Sequence, residues 1–195
     1  KKIVNECLMK KKPVIIATQM LDSMIHSPNP TRAEVNDIAN AIYDGADAMM
    51  LSGETTVGEY AVESIMMMSE IATSIDKDRD TQNFNRYIRQ ENRRIQDVRG
   101  SICHAAMILS NDMGINNIVI MSETGLTAMT MARYRPKSRI FALCTIEKVC
   151  FKLSLIWGII PILVQPYFTT EKMIQNAGNL LKNQDYQLYQ DQIDQ

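Results

Sequence analysis

The sequence is poor in the residues that build metal and disulfide sites. It holds two histidines, His26 and His104, and four cysteines, Cys7, Cys103, Cys144 and Cys150, in 195 residues. No Cys-x-x-Cys pair occurs, and the histidines stand alone, so nothing clusters the ligands that a zinc site needs. Three of the cysteines lie in apolar runs. All four are expected to be reduced core thiols, and both histidines structural. Net charge is also nearly absent, at -1, which removes the electrostatic basis for binding nucleic acid or an anionic membrane. No apolar run approaches the roughly 20 residues of a membrane helix. Lys1–Glu6 carries no signal-peptide pattern. The chain opens on Lys1 rather than Met, so a piece of a longer, cytoplasmic protein is expected.

What is present is core-forming material. Apolar residues make up 46% of the chain, enough to fold. Lys1 to Lys12 is expected as a helix with a basic end, stopped by Pro13. Val14 to Ala17 follows as a strand, apolar throughout and buried on both faces. Ser27-Pro28-Asn29-Pro30 breaks the chain. Thr31 and Glu34 have capping-box spacing. Val35, Ile38, Ala39 and Ile42 then fall on one helical face, which stops at Gly45. Ala48 to Leu51 is a second strand. Glu59 to Ile75 is a helix striped by Ala61, Ile65, Met68, Ala72 and Ile75.

Residues 76–97 are charged and amide-rich and are expected as a domain connection, with Arg93 and Arg94 on a solvated face. Beyond it the pattern repeats. Ile102, Ala105, Ala106, Leu109 and Met113 stripe a helix that ends at Gly114. Asn117–Met121 and Arg139–Cys144 are strands. Val149, Leu153 and Ile156 stripe a helix. Ile159 to Val164 is a strand that Pro161 marks as an edge. Met173, Ile174, Ala177, Leu180 and Leu181 mark a last helix. Alternating strands and helices predict a parallel α/β arrangement in three layers.

Three words carry a resemblance: ATQMLDSMI from Ala17, NPTRAEVNDIANAIYDGADAMMLSGET from Asn29, and ARYRPKSRIFALCT from Ala132. They resemble the pyruvate kinase family, over about Ile3 to Leu181. The resemblance implies an α/β fold: the last two strand-helix units of a TIM barrel (1–75), a linker (76–97) and a regulatory α/β domain (98–195). That domain is expected to be incomplete, because the tail from Asn183 is polar where the family continues with apolar strands. It also implies transfer of phosphate from phosphoenolpyruvate to ADP, magnesium and potassium as cofactors, a phosphorylated activator and a homo-oligomer, a tetramer. The family's phosphoryl-transfer lysine and acidic metal ligands match no segment here, so the fragment alone is expected to be inactive. A non-catalytic phosphate-binding or oligomerisation module is the alternative.

Site residues follow from strand ends, where ligands of parallel α/β folds sit. Thr18 ends the first strand. The resemblance makes it a catalytic and substrate-contacting residue, and a plain helix N-cap is the other possibility. Ser52, with Gly53 and Glu54, ends the second strand. The resemblance puts that loop at the active-site rim, with Ser52 a catalytic residue in a hydrogen-bond network, and simple capping is the alternative. Ser122, Glu123, Thr124, Gly125, Leu126 and Thr127 form a hydroxyl-rich strand-to-helix turn whose N–H groups suit an anion. The resemblance implies an effector phosphate there, against an unliganded turn. The Glu123 carboxylate opposes phosphate unless it points away.

Overall fold

The computed structural model describes residues 1–17, 19–78 and 97–166, with positions 171–172, 175 and 178–179 beyond them. The expected linker, apart from its ends, and the expected last helix (Met173, Ile174, Ala177, Leu180, Leu181) lie outside the described residues, as does the polar tail.

The first half runs α1 (Lys2–Met9), β1 (Ile15–Ile16), a 3-10 turn (Asp22–Ile25), α2 (Arg32–Asp44), β2 (Ala48–Met49), α3 (Gly53–Thr56) and α4 (Ala61–Asp78). The local signals around α2 act as their chemistry requires. The Thr31 hydroxyl accepts from the Glu34 N–H, the Glu34 carboxylate accepts from the Thr31 N–H, and Gly45 closes the helix at φ 96°. That left-handed conformation is one glycine adopts at no steric cost. β1 and β2 pair in parallel, Ile15 opposite Ala48 and Ile16 opposite Met49. Met20, Leu21, Met24, Ile38, Ile42 and Ile71 form the core beside them.

Two expectations fail here. The strands are two residues each, not four, and β1 is not buried on both faces: Ile15 is 47% exposed. Among the described residues each strand has one neighbour, and nothing covers the face that carries Ile15 well enough to bury it. On α4, Ile65 points outward, while Ser64 and Ile71 are buried. Ser64 can face inward because its hydroxyl is satisfied by the Tyr60 carbonyl, 2.7 Å away.

The second half runs α5 (Val98–Asp112), β3 (Asn117–Met121), α6 (Leu126–Ala132), β4 (Arg139–Cys144), α7 (Glu147–Leu153) and β5 (Ile159–Leu163). Its sheet is parallel in the order β3-β4-β5. β4 is central and nearly all buried. β5 is an edge, with Pro161 opposite Ala142. Cys103, Met107, Ala128, Ile140, Ala142, Leu153 and their neighbours form one continuous core. All four cysteines are free thiols, and burial pushes Cys144 up to about 12.

The stripe expected on α5 is turned outward. Ile102, Leu109 and Met113 are exposed, and Gly100, Cys103, Met107 and Ser110 face the core. That face mixes small residues with Met107, and Tyr134 packs at its start. The Tyr134 hydroxyl donates to the Gly100 carbonyl at 2.8 Å, and a Cβ on Gly100 would sit 3.5 Å from that oxygen.

Candidate functional site

Parallel pairing sends the carboxyl ends of β1 and β2 out on the same side. Met50 N–H donates to the Ile16 carbonyl at 2.9 Å, and both chains then turn into loops. Thr18, the first expected site residue, lies outside the described residues. Its neighbour Gln19 is left-handed at φ 52°, a conformation that costs a non-glycine residue about 1 kcal/mol or more. Met20 and Leu21, directly after it, are buried.

Glu54 joins the two loops. Its Oε1 accepts from the Leu21 N–H at 3.0 Å and its Oε2 from the Ser52 N–H at 2.8 Å. The side chain is buried. Burial would raise its carboxyl, but the N–H groups of Glu54, Ser52 and Leu21 hold it below the ordinary value. So Glu54 does more than complement the start of α3; it clamps the end of one strand to the end of the other. Ser52 is exposed, and its carbonyl accepts the Thr56 hydroxyl at 2.7 Å. Gly53 lies against Ile25, whose Cδ1 would be 3.0 Å from an added Cβ.

Glu34 makes a second clamp. It accepts from the Ser23 N–H at 2.7 Å, the Ser23 hydroxyl at 2.6 Å and the Thr31 N–H at 2.7 Å. Burial opposes ionisation, yet the bonds from Ser23 and Thr31 prevail and lower its pKa to about 2. The capping box made the Thr31 contact legible in sequence. Ser23, eleven residues upstream, carried no comparable signal.

These two carboxylates are engaged by N–H and O–H donors. Among the described residues, no group of three or more His, Cys, Asp or Glu side chains could hold a metal ion.

The second strand-end region lies at β3 and β4. Ser122 N–H donates to the Leu143 carbonyl at 3.1 Å. A cavity of about 290 Å³ opens there, lined by Met121, Ser122, Glu123, Leu143, Thr145, Val164 and Pro166. Of the six expected phosphate-binding residues, Ser122 and Glu123 line it. Thr124, Gly125, Leu126 and Thr127 do not. The Leu126 N–H donates to the Thr124 hydroxyl at 3.4 Å. Gly125 caps α6 at φ 78°, with Leu153 and Val149 packed where a Cβ would go. Thr145 was not foreseen as a site residue, although it closes the third family word directly after an apolar strand.

Among the described residues, no helix is long and apolar enough to cross a membrane. Two family models match the chain: "Pyruvate kinase, barrel domain" over residues 1–65 and "Pyruvate kinase, alpha/beta domain" over residues 100–193. The chain is 38% identical over 186 residues to a pyruvate kinase of Lactobacillus delbrueckii subsp. bulgaricus, covering 95% of this chain and 32% of that protein. It is 40% identical over 182 residues to a pyruvate kinase of Clostridium acetobutylicum, covering 91% and 37%. A crystal structure of a pyruvate kinase from Cryptosporidium parvum superposes with a TM-score of 0.87 at 33% identity, over 93% of this chain and 37% of that one. The chain thus spans about a third of the length of the relatives it matches.

Proposed function

This chain belongs to the pyruvate kinase family, and we propose that the whole protein transfers a phosphoryl group from phosphoenolpyruvate to ADP, giving pyruvate and ATP in glycolysis. The observation that supports this most is the Glu54 clamp, which fixes two strand-end loops at the open end of a parallel barrel fragment. In this reading residues 1–75 complete the catalytic barrel, 76–97 connect, and 98–195 form the regulatory domain. Thr18 and Ser52 lie on the substrate side. Magnesium and potassium are held by parts of the protein other than these residues. Phosphoryl transfer depends on positioned cations and donors, so this chain alone is expected to give no turnover. The whole protein is cytoplasmic and works as a homo-oligomer, a tetramer.

The cavity beside Ser122 receives the phosphate of an allosteric sugar-phosphate or nucleotide activator. The Ser122–Thr127 turn supplies hydroxyl and N–H donors, and Glu123, exposed but also lining the cavity, swings aside to admit the phosphate. Hydrogen bonds to a charged group contribute roughly 1.5–3 kcal/mol each, so Ser122→Ala or Thr124→Ala should weaken activation about ten-fold.

A coupled assay of ATP formation tests the catalytic reading, with magnesium and potassium supplied. The expected result is turnover by the full-length protein, and none by the 195-residue chain. Full-length protein that binds phosphoenolpyruvate but never forms ATP would favour a non-catalytic module instead.

A further inference from the structure

We propose that Arg135 is a positioning residue that couples the Ser122–Thr127 turn to the Ser52–Glu54 loop. The proposal goes beyond the catalytic reading and does not rest on it. Arg135 is fully buried and left-handed at φ 47°, so its backbone is held out of a relaxed conformation. It sits just past α6, and its side chain reaches into the first half of the chain. Its Nη2 donates to the Gly45 carbonyl at 2.6 Å, the Ala46 carbonyl at 3.4 Å and the Asp47 Oδ1 at 3.1 Å. Those acceptors are the carboxyl end of α2 and the residue before β2. A helix end carries partial negative charge, so the guanidinium fills a site made for a cation.

The other contacts of Asp47 make the arrangement a junction. Its Oδ2 accepts from the Val14 N–H at 3.0 Å, which ties the starts of β1 and β2. Its Oδ1 also accepts from the Trp157 N–H at 3.4 Å. The Trp157 ring lies 4.7 Å from the Arg135 guanidinium, and its Nε1–H donates to Asp76 at the end of α4, at 3.3 Å.

Rigid elements run both ways from this junction. On one side, α6 leads back to Gly125 and the hydroxyl-rich turn, wedged against Leu153 and Val149. On the other, β2 leads to Ser52 and the Glu54 clamp. A displacement of α6 must move the guanidinium relative to Asp47 or drag the start of β2 with it. A charge pair this buried, with side chains 0% and 6% exposed, resists separation strongly, so the second outcome is favoured. Whatever orders one loop then biases the other, and the effect is reciprocal.

Amide exchange on the 195-residue chain tests this without a ligand. Gly125→Ala, or the milder Leu153→Val, disturbs the far end of α6. The readouts are the amides of Ala48, Met50 and Ser52, bonded to the Val14 carbonyl, the Ile16 carbonyl and Glu54. With Arg135 present, exchange at these three should rise about ten-fold, as expected for coupled sites. In Arg135→Met the same disturbance should change it less than about two-fold, the scale expected of independent sites. Asp47→Asn, which keeps the acceptor for Val14, serves where Arg135→Met does not fold. Equal rises with and without the pair would overturn the proposal, and so would no rise with the pair intact. A uniform loss of protection across the whole chain would make Arg135 merely structural and would also overturn it.

Discussion

Residues 1–78 and 97–166 both keep loops in place at the carboxyl ends of parallel strands, and they do it with different chemistry. In the second half, β4 is flanked by two strands and covered by apolar side chains, with Ile140, Ala142 and Cys144 fully buried. The loops there hang from a packed sheet. In the first half, each strand has one neighbour, and Ile15 and Met50 remain 47% and 44% exposed. There, carboxylates take over: Glu54 and Glu34 each collect several donors and hold the loops that the short sheet cannot. The lesson is that hydrogen bonds to a charged acceptor can fix a loop where apolar burial is scarce, and that such bonds bring a dependence on pH.

The largest effect should come from the packed half. Ile140→Ala removes a fully buried side chain and should cost about 3 kcal/mol, read as a lowered denaturation midpoint. A change under about 1 kcal/mol would mean that the core collapses around the gap. Glu54→Gln should cost about 2 kcal/mol, because one charged acceptor for two N–H groups becomes a neutral one. Amide exchange at Leu21 and Ser52 should rise, while Ile120 in β3 stays protected. Equal loosening in both halves would erase the contrast.

Acid should single out the first half. The folded pKa of Glu34 is depressed from 4.5 to about 2, so its contribution is complete above its unfolded pKa. That contribution is lost as pH falls through the folded value. Glu54 shifts in the same direction. Stability of the first half should therefore decline from about pH 4.5 toward pH 2, and Glu34→Gln should flatten the decline. An unaltered profile in that variant would remove Glu34 from the account. The smallest effect should be at Lys11, whose ammonium lies 2.6 Å from Asp97. Solvent screens this partly exposed pair, so Lys11→Met should scarcely move the midpoint.

Local chemistry was legible in the sequence. Gly45, the Thr31–Glu34 box, β3 and β4 follow from neighbours a few residues apart, and the structure bears them out. The family words placed the strand-end loops. Contacts across long separations were not legible. Nothing near Glu54 points to Leu21, 33 residues away, and nothing near Arg135 points to Gly45, 90 residues away. The face of α5 was misjudged for a related reason. Periodicity finds an apolar stripe, but the face that is buried, with Gly100, Cys103, Met107 and Ser110, meets residues such as Tyr134 some 34 positions away.

Pro161 has a consequence for assembly. Val164 N–H donates inward to the Cys144 carbonyl at 2.9 Å. Along a strand, N–H groups alternate in direction, so position 161, three residues earlier, is one whose donor would point away from β4. Proline leaves that place empty at no loss to the existing ladder. A strand arriving beside β5 would meet a gap midway, whereas β3, which has no strand on its outer side among the described residues, contains no proline. The sheet's two edges are therefore unequal: β5 is blunted by Pro161, and β3 is not.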